Sequence, residues 1–426
     1  MAGQGHRIIR TWAVDKLPSW QKSLAADALE TVLCKEALSL QDKHAGGKSP
    51  DLDKYCVIPG VKVSLHDVAQ PSVASKSIQW FLRNICENIE KGQTGEAMKY
   101  LGILCHWNED TLWPGAHCSP VTETVLRQLV PPPKEKQNLN YLFGYGGIAD
   151  TGEYSIPDES YQPRLLGASI PEAAVRLHQR QRKLSKQASS FILPLVQDTM
   201  HGDGSEAAKV RAEVAHIAAR HSADIIYTAL CLASDRIDER EESEFEKQKL
   251  TDWLPVFEGA MIPHPYYVTP FLIDQSMDAD RNLHPLSFSG EDGAVEFGIG
   301  MGTPFSLQFC LAPGTVFDRF TCRAGLHPTA GPNGKVIFRV RVDDEVISCS
   351  QPVGSGDSPV DLCADLPLTE ILNLALETVA EEGSEPSHNL TVWAGPCLHR
   401  AAGAHSQMTD EDLRTIGYFT ARKRVR

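Results

Sequence analysis

The chain has 426 residues, with 41 Lys+Arg against 55 Asp+Glu and a formal charge of −14 at pH 7. That length exceeds what one hydrophobic core usually organises, so two or three domains are expected, and 42% hydrophobic with 23% charged residues excludes a wholly disordered chain. The acidic balance argues against extended nucleic-acid contact, which needs Lys and Arg at the phosphates, and no run of eighteen apolar residues offers a transmembrane segment.

Met1 to His6 lacks the apolar stretch of a signal peptide, so the expected compartment is the cytoplasm, or a secreted or periplasmic one if a leader has been removed. Residues 1–233 read as mostly helical. Ser72 to Lys91 carries Ile78, Trp80, Phe81, Leu82, Ile85 and Ile89, an apolar stripe near the helical period. Gly95 to Cys105 forms a second, strongly apolar helix. Pro131-Pro-Pro133 and the Gly/Tyr/Asn-rich stretch from Asn138 to Gly152 are loop signals. Ser169-Ile-Pro-Glu172 is a capping box with proline in the first turn, opening a helix toward Ser189. Glu206 to Ala233 is a long helix, polar first and apolar later.

From Asp235 to Leu250 a charge run predicts a solvated helix or linker, placed within residues 234–268. Residues 269–401 then change to short alternating strands between Gly, Pro and Asp turns, the clearest being Val295–Met301, Phe305–Leu311, Phe317–Ala324, Lys335–Val342 and Leu390–Trp393. The expected architecture is therefore multidomain, an all-α domain followed by an antiparallel β-sandwich, with a basic tail over 402–426. The eleven cysteines contain no Cys-x-x-Cys pair, which excludes a zinc ribbon or thioredoxin-like site and fits reduced, mostly buried thiols. Asn389-Leu-Thr391 is a glycosylation sequon that matters only in a secreted protein.

Nine of the fifteen histidines precede residue 222, and the informative cluster is His106-Trp-Asn-Glu-Asp110-Thr-Leu-Trp-Pro-Gly-Ala-His117. His106 and Asp110 are four apart and share one helix face, and the Pro114-Gly115 break can return His117 to it. Imidazole with carboxylate is a ligand set for zinc, and open positions on the ion are what hydrolysis needs. Trp107 and Trp113 flank the cluster and are expected either in the core or lining the mouth of a substrate site.

The segment from Ala97 through Cys105-His106 and Asp110 to Pro114-Gly-Ala-His117 resembles the signature of the zinc-dependent phospholipase C and single-strand nuclease superfamily. Gly5-His6 through Pro18 is similar to that superfamily's opening segment, Leu65-His66-Asp67 sits where another ligand histidine is expected, and His221 to Leu230 is similar to its closing helix. The resemblance implies an all-helical domain with two or three zinc ions, bound by His6, Asp53, His66, His106, Asp110 and His117. Asp51 is an alternative to Asp53, and Asp53 is also the expected general base. The superfamily's later His-x-x-x-acid pair has no counterpart. Glu172 and His178 lie six apart, and His221 with Asp224 could share a helix face but is expected in a core or surface role.

Gly298 to Leu307, Phe317 to His327, Lys335 to Asp344 and Asn389 to Leu398 resemble the NPCBM type of carbohydrate-binding module. That implies a galactose-binding-like sandwich attached to an enzyme. Trp393, Phe317 and Phe320 alternate as core residues do, so no sugar-binding residue is assigned.

These readings lead to a zinc-dependent hydrolase, most directly of phosphoesters, acting on a small phosphoester, lipid headgroup or glycan. A glycan- or glycoconjugate-active hydrolase and a non-catalytic carbohydrate-binding protein with a degenerate metal site are the alternatives. Charge divides the same way. Residues 1–200 hold 22 Lys+Arg and 21 Asp+Glu, whereas residues 201–400 hold 14 and 31. The acidity belongs to the linker and the β-module, and a phosphate-bearing substrate is not excluded at the helical domain.

Overall fold

The computed structural model describes residues 4–24, 28, 71–117, 120–137, 142, 154–260, 271–369 and 372–402. They fall into two compact units divided between Glu242 and Ser243. Among the described residues no helix is long and apolar enough to cross a membrane.

The first unit is built from α1 (Gln4–Asp15), α2 (Ser19–Leu24), α3 (Pro71–Glu90), α4 (Thr94–Thr111), α5 (Pro120–Leu129), α6 (Ile170–Ser189), α7 (Ile192–His201), α8 (Ser205–Ala233) and a short α9 (Glu239–Ser243). The apolar stripe of α3 buries Ile78, Phe81, Leu82 and Ile85 against Leu101, Leu104, Leu177 and Ile226 in one core. A second core gathers Ile9, Leu112, Trp113, Leu195, Val214 and Ala218. Helix α6 starts as its capping box requires, with Ser169 Oγ accepting from Glu172 N at 3.4 Å and proline in the first turn. The Glu172 carboxylate reaches one residue further back than the box requires, accepting from Ala168 N at 3.0 Å.

The second unit is an antiparallel β-sandwich. One sheet runs β12 (Val360–Asp365), β8 (Phe317–Leu326), β14 (Thr391–Arg400), β6 (Gly298–Met301), β3 (Leu272–Ile273), with β1 (Lys247–Lys249) also on β14. The other runs β10 (Glu345–Cys349), β9 (Lys335–Val342), β13 (Leu372–Ala380), β7 (Phe305–Leu311), β2 (Phe257–Ala260), with β11 (Val353–Gly354) on β9. A small pair, β4 (Gln275–Met277) and β5 (Leu283–Pro285), completes it. Alternate residues of β9 point inward, Val336, Phe338, Val340 and Val342 being buried. Phe338 meets Trp393 of the facing sheet edge-on, with centroids 5.3 Å apart. Trp393, Phe317 and Phe320 are core residues, all fully buried.

The structure departs from the sequence reading in the charged segment. The expected helix is present only as the short α9, and the described residues after it add strands: Lys247–Lys249 pairs with Cys397–His399 and Phe257–Ala260 pairs with Phe305–Gln308. These short strands take their stability from neighbours' backbone groups, which an alternating-apolar criterion does not register. The sequon is committed to structure as well. Asn389 is fully buried, its Oδ1 accepting from Lys335 N at 2.8 Å and its Nδ2 donating to Ser384. The described cysteines are free thiols, with Cys105, Cys231, Cys310 and Cys322 buried. The tail beyond residue 402 lies outside the described residues.

Removing the indole that joins the two sheets leaves a large void. Trp393→Ala should therefore lower the stability of the β-unit by about 3–5 kcal/mol, read as a fall in its urea unfolding midpoint.

Candidate functional site

Helices α1 and α4 bring together residues far apart in sequence. His6 and Arg10 stand one turn apart on α1, and His106, Glu109 and Asp110 occupy the last two turns of α4. All five are buried, Arg10 and Glu109 completely. Ligand atoms of His6, His106 and Asp110 all lie within 4.8 Å of one another. His106 Nε2 is 2.8 Å from Asp110 Oδ2, His6 Nε2 is 3.4 Å from Asp110 Oδ1, and the two imidazole centroids are 4.2 Å apart. On its other side His6 Nδ1 donates to Glu109 Oε2 at 2.5 Å. Arg10 grips the same carboxylate from Nε to Oε1 (2.9 Å) and from Nη2 to Oε2 (3.0 Å).

Electrostatics favour a cation among these donors. Burial pushes the His106 imidazole down to about 4 against the pull of Asp110, so at neutral pH it is uncharged and keeps a lone pair. Burial works to raise the Glu109 carboxyl, but Arg10 and His6 outweigh it and hold the group below its usual range. With the Nδ1 proton of His6 directed at Glu109, its Nε2 and the Asp110 oxygen face one another as two acceptors, an arrangement that needs a proton or a metal ion between them. Two atoms bound to one tetrahedral zinc at about 2.0–2.1 Å lie roughly 3.3 Å apart, close to the 3.4 Å between His6 Nε2 and Asp110 Oδ1. The donor set, two imidazoles and one carboxylate, suits zinc and leaves a coordination position open.

Of the ligands expected from sequence, the structure thus unites His6, His106 and Asp110. Asp51, Asp53 and His66 lie outside the described residues. His117 ends the 3-10 turn Pro114–His117 that follows α4, and its side chain also lies outside them. That turn depends on Gly115, where a Cβ would overlap the Leu142 carbonyl oxygen. The two tryptophans do not line a mouth. Trp107 is fully buried in the first core and Trp113 in the second, its Nε1 donating to Leu142 O at 3.3 Å. Adjacent helix positions are about 100° apart, so Trp107 turns away from the face that carries His106 and Asp110.

The later residues are committed elsewhere. Glu172 serves its capping box, and Asp224 accepts from Tyr161 Oη, Arg164 N and Arg180 Nη2. His221 is fully buried, and neither ring nitrogen has a hydrogen-bond partner among the described residues. Glu109 and Arg10 escaped the sequence reading. The signal was present as His6-x-x-x-Arg10 on one face of α1, but their common partner is about a hundred residues away.

The β-unit carries a cleft of about 710 Å³, within the range of ligand pockets. Phe297, Glu291, Glu296, Thr321, Arg323 and Asp361 are among its lining residues. Arg323 Nη2 donates to Glu291 Oε1 at 2.6 Å, and its Nε lies 3.6 Å from Asp361. Gly395, at φ 60°, sits in the bulge between Ala394 and Cys397 of β14 and donates its N–H to Phe297 O at 3.0 Å. Such bulges bend a strand and re-aim its neighbours.

Comparison with known proteins assigns this unit. Residues 266–399 match the NPCBM/NEW2 domain family. A CBM51 from Clostridium perfringens GH95, solved with methyl-galactose, is 16% identical over 36% of this chain and 99% of its own, with a TM-score of 0.29. The tandem CBM51 modules of Sp3GH98, a family 98 glycoside hydrolase from Streptococcus pneumoniae SP3-BS71, are 13% identical over 38% of this chain and 49% of theirs, with a TM-score of 0.29. The M60 catalytic domain of Clostridium perfringens ZmpB with its two CBM51 domains is 15% identical over 36% of this chain and 15% of its own, at 0.27. No curated protein matches the chain. The C-terminal unit is a carbohydrate-binding module of the NPCBM type.

The buried imidazole of α8 makes the helical unit acid-sensitive. Burial, reinforced by Arg180, holds His221 well below the ordinary histidine range, so the fold requires its neutral form. Its folded value lies below the unfolded one of about 6.5, so the unfolded chain takes up the proton first as pH falls. Stability is full above that value and is lost below it, by at most about 1.4 kcal/mol per pH unit from this residue. His221→Leu should shrink the stability difference between pH 7 and pH 5.5 by about 1 kcal/mol in urea unfolding.

Proposed function

We propose that the helical unit is a zinc-type, metal-dependent hydrolase of phosphoesters and that the NPCBM unit attaches it to glycan-bearing material. The observation that carries this reading is the convergence of His6, from one end of the helical unit, with His106 and Asp110 in one buried constellation. The resemblance of the segments around His6, His66 and His106–His117 to the zinc-dependent phospholipase C and nuclease superfamily supports it. His66, His117 and Asp53 are the residues that would add donors for further ions.

A zinc-type ion at this site supplies Lewis-acid activation of water and of a phosphoryl oxygen. The chain's own residues decide what such a site favours. Asp110 is the only carboxylate among the three donors, and the neighbouring Glu109 is balanced by Arg10. One carboxylate against a divalent ion leaves a net positive centre, which favours an anionic ester over a neutral glycoside. The match of the β-unit to a carbohydrate-binding family keeps a glycoconjugate in view as the second reading of the substrate.

Elemental analysis of the purified full chain tests the metal first. At least one zinc equivalent per chain is expected, lost in His106→Ala with the helical circular dichroism retained. No metal, even after incubation with zinc, would remove both hydrolase readings and leave a binding protein. Hydrolysis of bis(p-nitrophenyl) phosphate or phosphatidylcholine, abolished by a chelator, is the expected activity. Turnover of aryl glycosides alone would transfer the reading to glycans.

The module is tested separately by retention on a panel of immobilised neutral glycans. Phe297→Ala removes the ring beside the cleft and should weaken retention at least several-fold, since aromatic platforms carry much of such contacts. Unchanged retention would place the glycan contact elsewhere on the module.

A further inference from the structure

Arg10 and Glu109 are completely buried, and neither belongs to the donor set of the proposed site. A buried ion pair is weak evidence for stability, because apolar residues of similar volume often serve as well. What this pair does is visible in its contacts. Arg10 holds the Glu109 carboxylate from two nitrogens, at 2.9 Å and 3.0 Å, so the group cannot rotate freely. Its Oε2 lies 2.5 Å from His6 Nδ1. A carboxylate only accepts, so the proton of that bond belongs to His6 Nδ1. In the uncharged ring the lone pair is then on His6 Nε2, the nitrogen that faces Asp110 Oδ1 at 3.4 Å.

From this geometry we infer that Arg10 and Glu109 are positioning residues that lock His6 in its Nδ1–H tautomer and aim Nε2 at the metal. The inference rests on the metal reading above. Histidine ligands whose second nitrogen donates to a carboxylate are better oriented and more basic. His6 sits near the start of α1, and the hold on its Nδ1 comes across the bundle from Glu109 of α4. Arg10 matters because it fixes both the plane and the charge of the carboxylate that does the holding. Helix periodicity supplies the arrangement. His6 and Arg10 are four apart and meet one carboxylate, while Asp110, one residue on, turns toward His106.

Two measurements on the full chain test this. In the chelator-stripped, 15N-labelled protein, long-range 1H–15N correlation should show His6 as the Nδ1–H tautomer, with the signal assigned by its loss in His6→Gln. In Glu109→Gln that preference should weaken, and zinc affinity, measured by competition with a chromophoric chelator below the variant's own thermal midpoint, should fall about 10–100-fold; the midpoint itself falls, because Arg10 is left buried without its counter-charge. An Nε2–H tautomer in the wild type overturns the inference and needs no variant, so it stands even if Glu109→Gln fails to fold. A folded Glu109→Gln that binds zinc as tightly as the wild type also overturns it. A wild-type chain that binds no zinc overturns the metal reading instead, and the tautomer measurement still decides what Glu109 does to His6.

Discussion

A carboxylate with no exposure, held between two helices by a guanidinium and an imidazole, organises the helical unit. Taking the Glu109 and Arg10 charges out of water costs several kcal/mol apiece, roughly, and only close, multiply bonded geometry returns it. Here the geometry is met: a two-nitrogen grip from Arg10 and a third bond from His6. The requirement constrains how α1 lies on α4, since two side chains one turn apart must reach the same carboxylate. Apolar neighbours then follow from that register. Ile9 enters the second core and Ala13 the first, so α1 ties the two together. The apolar contacts supply the larger part of the energy, and the polar clasp selects which apolar contacts form.

The same helix end bears on why a cation would be accommodated there. Glu109 and Asp110 lie in the last turn of α4, which carries no basic residue. The partial negative charge of a helix C-terminus disfavours carboxylates at that position, so two in succession run against local preference. Arg10 answers the first from another helix. The second, Asp110, faces two imidazoles, one of them kept neutral by burial. A carboxylate at the wrong end of a dipole, with one oxygen bonded by His106 and the other facing His6 Nε2 at 3.4 Å, makes a site that would complement positive charge.

How much of this could be read from sequence depended on whether the signal was local. The capping box at Ser169 placed the start of α6, and alternation placed β9 and put Phe317, Phe320 and Trp393 in the core, because each rests on neighbours a few residues apart. The His106–Asp110 pair was equally legible as two positions one helical turn apart. What was not legible was tertiary. Nothing near Arg10 announces Glu109, and Lys-Gln-Lys at 247–249 is a strand only because β14 lies beside it. Trp107 and Trp113 illustrate a different limit. Proximity to a polar cluster along the chain says little about a shared face, and the helix carries both indoles into apolar cores. Asp224 fills the core role open to it, buried and accepting from Tyr161, Arg164 and Arg180, partners that the sequence did not name.

The charge of −14 takes on a different meaning once it is divided between the units. Residues 201–400 carry 31 acidic against 14 basic side chains, and the cleft of the β-module shows the same bias locally. Glu291, Asp292, Glu296 and Asp361 line it with a single arginine, and two of those carboxylates already engage that arginine. Such a surface repels polyanions, so a phosphate-bearing polymer gains nothing from docking there. An uncharged glycan would meet no such conflict, since its hydroxyls can donate to carboxylates. Under the proposed function the two units therefore recognise opposite chemistries, an anionic ester at a positive buried centre and an uncharged glycan at an acidic cleft. That separation would let one chain stay bound to a glycan support through a module that does not compete for the ester the other unit is proposed to cleave.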